Sequence, residues 1–291
     1  MILNKTVNTT IFLFLSLLFT IIGINQNPGK AFFPTITEPN TKELKSTSIE
    51  IRKTAIKLLQ LGQIEEATNL LKLATKLNPD EEILWIGLAD GQIKTNQPKE
   101  AIQSLNNAIQ LNPKNAISYF RKGSIYLNSK NPKNAIKYIQ QGLSIDTNNE
   151  RGYFQLGNAE IMLKNYNFAL FAFKKANKIN PNFWQSINNE GLIYFELNQS
   201  LKAIKRFKLA VEISNDAEPM LALAIALFSG DNKSIKSIDL AKNALKLNPK
   251  YASSKYQSEQ LWGEKLQKAC EKFFKTKEMV KTVNEAKKNS Q

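Results

Sequence analysis

The residue types that most often carry out chemistry are nearly missing from this 291-residue chain, which has no histidine and one cysteine, Cys270. That composition excludes an internal disulfide framework, imidazole or thiolate metal sites, and any catalytic centre built on histidine. Cys270 sits on an apolar stripe with helical spacing, where a lone thiol serves as a small core residue. The paired carboxylates Glu65–Glu66 and Glu81–Glu82 fall at exposed helix starts, and no glycine-rich phosphate loop occurs. The sequence therefore predicts a non-enzyme with no metal and no cofactor. What remains is charge: 40 lysines and arginines against 25 acidic residues, a formal net charge of +15.

Helices must position whatever these side chains do. Hydrophobic residues make up 42% of the chain, enough for a folded core, and only 12 glycines and 10 prolines punctuate it, too few for a many-turned β fold. One helix-end motif recurs at a single fixed interval, without insertion or deletion: Leu77-Asn-Pro79, Leu111-Asn-Pro113, Ile145-Asp-Thr147, Ile179-Asn-Pro181, Ile213-Ser-Asn215 and Leu247-Asn-Pro249. Each unit opens a helix near a bulky residue (Ile51, Trp85, Tyr119, Tyr153, Ile187, Leu221). In the first five units a small residue follows where two helices meet: Ala55, Ala89, Gly123, Gly157 and Gly191. The second helix carries Ala67, Ala101, Ala135, Ala169 or Ala203, then a filler: Leu71, Leu105, Ile139, Phe173 or Phe207.

This period and this alternation of large and small slots resemble the tetratricopeptide repeat family, whose helix pairs are about 34 residues long. The resemblance covers roughly residues 48–251. It implies an all-α fold: a right-handed superhelical solenoid of about six helix-turn-helix units, at 48–81, 82–115, 116–149, 150–183, 184–217 and 218–251. The sixth is degenerate, with Ser237 and Ala241 filling its slots differently. Thr47-Ser-Ile-Glu50 reads as a capping box that starts the first helix, after a linker over 32–47. Beyond Pro249, one narrow apolar stripe (Trp262, Leu266, Cys270, Phe273, Val280) makes 252–291 a single capping helix with a basic tail.

In this family the first helix of each unit lines a concave groove, where partners lie as extended peptides or helices. The slots carried over to this chain are Arg52 and Ile56 in the first unit and Ile86, Asp90 and Ile93 in the second. The third gives Phe120, Ser124 and Asn128, the fourth Phe154, Asn158 and Met162, and the fifth Asn188, Leu192 and Phe195. Such a surface is mostly apolar and suits a hydrophobic or amphipathic peptide, with Asn158, Asn188 and Asn189 to hold its backbone. Packing between neighbouring helices is the alternative for any one of them. The family's carboxylate clamp for chaperone tails is absent: Phe154 stands where a lysine is needed, and Pro219 and Leu223 replace the next basic pair.

Most lysines fall on second helices and the C-terminal tail, among them Lys133, Lys137, Lys174, Lys175, Lys202, Lys205 and Lys208. A solvated convex face accounts for them. The alternatives are contact with an anionic membrane surface or acidic partner and, least favoured for want of aromatic–basic interleaving, nucleic acid. At the other end, Ile11–Ile24 is an apolar run broken only by Ser16, Thr20 and Gly23, and Gly29-Lys-Ala31 follows. Two readings stay open for 1–31: a signal peptide cleaved after Ala31, or an anchor through residues 9–24. The protein is thus expected to be exported (to a periplasm or lumen) or membrane-anchored. Its expected function is a non-catalytic scaffold holding a peptide or helix of a client protein in the groove. In this it is similar to tetratricopeptide proteins of bacteria and cyanobacteria, some of which assist assembly of membrane complexes. The alternative is a basic binder of anionic lipid or nucleic acid.

Overall fold

The computed structural model describes residues 40–230 and 235–290. The expected signal or anchor segment and the linker up to residue 39 lie outside the described residues. Among the described residues there are 15 α-helices, one 3-10 turn and no strand, the all-α class that the periodicity implies. No helix among them is long and apolar enough to cross a membrane.

The chain divides into two compact bodies, Met1–Pro79 and Asp80–Gln291. In the first, α1 (Thr41–Gln60) packs on α2 (Ile64–Leu77). Ile51, Ala55, Ala67, Leu71 and Ala74 are buried there. The first helix starts earlier than the sequence reading has it. Asn40 is the cap, its side chain accepting the Glu43 N–H at 2.9 Å. No proline or glycine interrupts the chain after it, so residues 41–47 are helix rather than linker, and Thr47–Glu50 lies inside the helix instead of capping it.

Five helix pairs make the frame of the second body: α3 (Glu82–Lys94) with α4 (Pro98–Leu111), α5 (Ala116–Asn128) with α6 (Pro132–Ile145), and α7 (Glu150–Met162) with α8 (Tyr166–Ile179). Then come α9 (Trp184–Glu196) with α10 (Ser200–Ile213) and α11 (Ala217–Ser229) with α12 (Ile235–Leu247). Within this body each second helix up to α10 also packs on the first helix of the following pair. First helices touch one another as well, α5 with α7 and α9 with α11, so they converge on an inner side while second helices form the outer side. The small slots and fillers make the core: Ala89, Ala101 and Leu105, Ala135 and Ile139, Ala169 and Phe173, Ala203 and Phe207 are all buried. The sixth repeat, worn in sequence, is complete as a helix pair, with Ser237 and Ala241 both buried.

Each first helix of repeats 1 to 5 ends through a left-handed residue at the same slot: Gly62, Asn96, Lys130, Lys164 and Asn198, with φ of 77°, 59°, 54°, 59° and 59°. This left-handed step just past the helix end turns the chain into the second helix.

The C-terminal segment departs most from expectation. In place of one capping helix there is a 3-10 turn (Pro249–Ala252), a short α13 (Ser254–Glu259), α14 (Glu264–Phe274) and α15 (Lys277–Asn289). Leu261, left-handed at φ 63°, and Gly263 break the chain before α14. The expected single stripe is split accordingly. Trp262, Leu266, Cys270 and Phe273 are buried around α14, whereas Val280 is exposed and Met279, Val283 and Ala286 bury α15. Packing of α15 is on α12, but α14 lies on α9 and α11, both first helices. The chain closes its end by folding back over its own inner side.

Candidate functional site

On the inner side, successive first helices are joined by polar pairs 31 residues apart. The Arg121 guanidinium grips Asp90 through Nε and, at 2.7 Å, through Nη2. Gln155 Nε2 donates to Ser124 Oγ at 2.6 Å, and Asn189 Nδ2 donates to Asn158 Oδ1 at 2.9 Å. That separation is one helical turn short of a full repeat, so it sets a late position on one helix beside an earlier one on the next. Asp90, Ser124 and Asn158 therefore bind neighbouring repeats to each other. Asn158 Oδ1 and Asn189 Nδ2 are thus engaged with each other across the repeats, where the sequence reading has both residues holding a peptide backbone. The next step of the ladder is Leu192 and Leu223, both buried, and there the polar pairing stops.

The expected aromatic residues also face inward between helices. The Phe120 ring fills the space left by Gly142 and Gly152, where any added Cβ would overlap it. Phe154 packs on Phe173 and Phe183, with ring centroids 5.9 and 5.0 Å apart. Ile86 is buried, Ile93 and Met162 are half-buried, and Asn128 is exposed. In the first body Arg52 is half-buried and Ile56 exposed.

Asn188, Leu192 and Phe195 are buried, which corrects their expected exposure to a client. The chain's own α14 region is the cause. Glu196, at the end of α9, accepts the N–H groups of Lys265 and Leu266, each at 3.0 Å, so a carboxylate from one helix caps the start of another. Lys265 Nζ donates to the Glu196 carbonyl at 2.6 Å, and Lys164 pairs with Glu264 at 3.2 Å. Further along, Glu218 Oε1 accepts from Trp262 Nε1 and from Asn188 Nδ2, both at 3.1 Å. Burial pushes the Glu218 acid up to about 7, against the opposing pull of those hydrogen bonds. Burial likewise pushes the Cys270 thiol up to about 12, leaving a core residue rather than a nucleophile.

The inner side of repeats 2 to 4 stays open. Ile83 and Ile117 are 42% and 46% exposed at the starts of α3 and α5, Arg151 is exposed at the start of α7, and at the end of α5 Asn128 is exposed and Leu127 half-buried. Arg121, Gln155, Glu196 and Glu218 carry inner-side interactions that a slot-by-slot reading does not name. For the first two, complementary polar types at the same offset of 31 residues are the signal that finds them. Among the described residues no cluster of acidic or thiol groups could hold a metal ion.

Family profiles described as tetratricopeptide repeat match residues 58–121, 116–149 and 150–183. Residues 58–183 belong to the tetratricopeptide repeat family. No curated protein sequence matches it significantly. Among solved structures it is similar to PilF of Pseudomonas aeruginosa, with 20% identity, 75% of this chain and 99% of the other covered, and a TM-score of 0.60. It is similar too to PilW, described as a widely conserved type IV pilus biogenesis factor, at 17% identity, 76% and 97% coverage and a TM-score of 0.58. YrrB, described as a tetratricopeptide protein with an unusual peptide-binding site, follows at 18% identity, 66% and 100% coverage and a TM-score of 0.51. At these identities the likeness is one of fold. Tetratricopeptide repeat proteins are in general non-catalytic scaffolds that bind protein or peptide partners.

Proposed function

We propose that this chain is a non-catalytic scaffold, exported or membrane-attached, that binds a helix or peptide of a client protein on the inner side of repeats 2 to 4 and serves assembly of a membrane complex. The observation that carries the reading is α14. An amphipathic helix of the chain itself, with Leu266, Cys270 and Phe273 buried and Lys265, Lys268 and Lys272 exposed, lies across the inner side of repeats 5 and 6. A client helix of the same pattern would meet Ile83, Ile117 and Leu127 two to four repeats earlier. YrrB is described by its peptide-binding site and PilW as a pilus biogenesis factor, which lends support to peptide binding and to an assembly role.

Ile83→Glu combined with Ile117→Glu changes two exposed side chains, so the fold should persist by circular dichroism. A client that co-purifies with the wild type from membranes of the source cell should be lost from this variant and kept by the outer-side control Gln103→Glu. Retention by both variants would overturn the inner-side assignment.

A further inference from the structure

Phe168 and Phe171 project from the outer side of α8 one turn apart, 66% and 58% exposed. Internal comparison of the repeats shows that the fold does not require them there. The slot of Phe168 holds Glu66, Glu100, Asn134, Lys202 and Lys236 in the five sister repeats, and that of Phe171 holds Asn69, Gln103, Lys137, Lys205 and Asp239. Every one of those residues is polar. Two bare aromatic rings at positions that are otherwise solvated cost solubility without adding to the core, so their use lies outside the domain.

Their surroundings are mostly basic, the exposed Glu212 near the end of α10 being the acidic exception. Lys174, Lys175 and Lys178 are on the same helix, Lys175 Nζ 5.5 Å from the centre of the Phe171 ring. Lys137 on α6 and Lys205 on α10 flank the pair at the matching slot. Neither α6 nor α8 has an acidic residue, and among the described residues none of these five lysines forms an ion pair. We infer that the outer side of repeats 3 to 5 docks on an anionic lipid surface, with Phe168 and Phe171 inserted at the headgroup level and the lysines on lipid phosphates. Rings without a polar handle, set among ammonium groups that hold no carboxylate, fit a bilayer interface. A duplex or a phosphorylated protein is typically gripped by the planar fork of arginine, and the one arginine of this face, Arg206, is already paired with buried Glu190 at 3.0 Å. The inference is independent of the inner-side reading.

The test uses the full chain carrying an environment-sensitive fluorophore on Phe171→Cys, with Gln103→Cys, the matching slot of repeat 2, as the reference; Cys270 is buried and stays unlabelled. Probes are vesicles of phosphatidylcholine alone and of phosphatidylcholine with phosphatidylglycerol. The label at 171 should shift to the blue on phosphatidylglycerol vesicles and the label at 103 should not, which separates this face from anything the N-terminal segment does. Replacing Lys174, Lys175 and Lys178 together by Gln should raise the lipid needed by about tenfold or more, and added salt should act in the same direction. A silent label at 171, equal responses at 171 and 103, or an equal shift on phosphatidylcholine alone would overturn the inference. So would reproduction of the shift by polyglutamate or duplex DNA in place of vesicles.

Discussion

Gly157 and Phe173 show how single residues trade volume inside a repeat. Where the small slot of the first helix is alanine (Ala55, Ala89) the filler is leucine, and where it is glycine (Gly123, Gly157, Gly191) the filler is isoleucine or phenylalanine. A methyl added at Gly157 would overlap the Phe173 ring, which is fully buried. Gly157→Ala should therefore destabilise by about 1–3 kcal/mol, read as a lower Tm. Adding Phe173→Leu recreates the pairing of the first two repeats and should recover part of that loss; additive losses would refute the volume account. Lys130 bears a different strain, a left-handed backbone at φ 54° on an exposed residue. Lys130→Gly should raise stability by roughly 0.5–1 kcal/mol in denaturant titration, since glycine adopts this conformation freely. The slots themselves are legible in sequence because they recur. The fate of Asp90, Ser124 and Asn158 shows in sequence only as a complementary polar type 31 residues on, and the twist between helices decides whether such a side chain faces a groove or its counterpart on the next repeat.

At the scale of elements, α14 governs what the inner side offers. Its docking runs through Glu218, whose acid stands at about 7 where an exposed glutamate stands at 4.5. A raised acid favours the protonated form in the folded state. The stability it contributes is full below about 4.5 and is lost as pH rises through about 7. Protection factors of the α14 amides, which discount the intrinsic rise of exchange with pH, should therefore fall together with the Tm between about pH 5 and pH 8, while Glu218→Gln should flatten both trends. Unchanged pH dependence in that variant would remove Glu218 from the docking. The apolar stripe through Trp262, Leu266, Cys270 and Phe273 announces a buried C-terminal helix in the sequence. Where that helix docks is not written there, because a stripe specifies a face and not its partner. Val280 falls outside the stripe for a local reason: the break at Lys275-Thr276 resets the helical phase, which turns Met279 and Val283 inward instead.

At the scale of the whole molecule, the repeat register sets the helix pairs of the second body so that first helices face an inner side and second helices an outer one. Periodicity alone carries the helix pairs, their boundaries within a few residues and the core, since every core slot is set by contact with a neighbouring helix of the same repeating pattern. The division of the inner side into a self-filled end at repeats 5 and 6 and an open stretch at repeats 2 to 4 comes only from tertiary packing. Site-specific photo-crosslinking in the source cell tests that division most directly. A photo-reactive residue at Ile117 or Arg151, on the open stretch, should give adducts with a client protein, while one at outer-side Gln103 should give none to that client. The same client captured equally from Gln103, or from Gln103 alone, would contradict an inner-side scaffold.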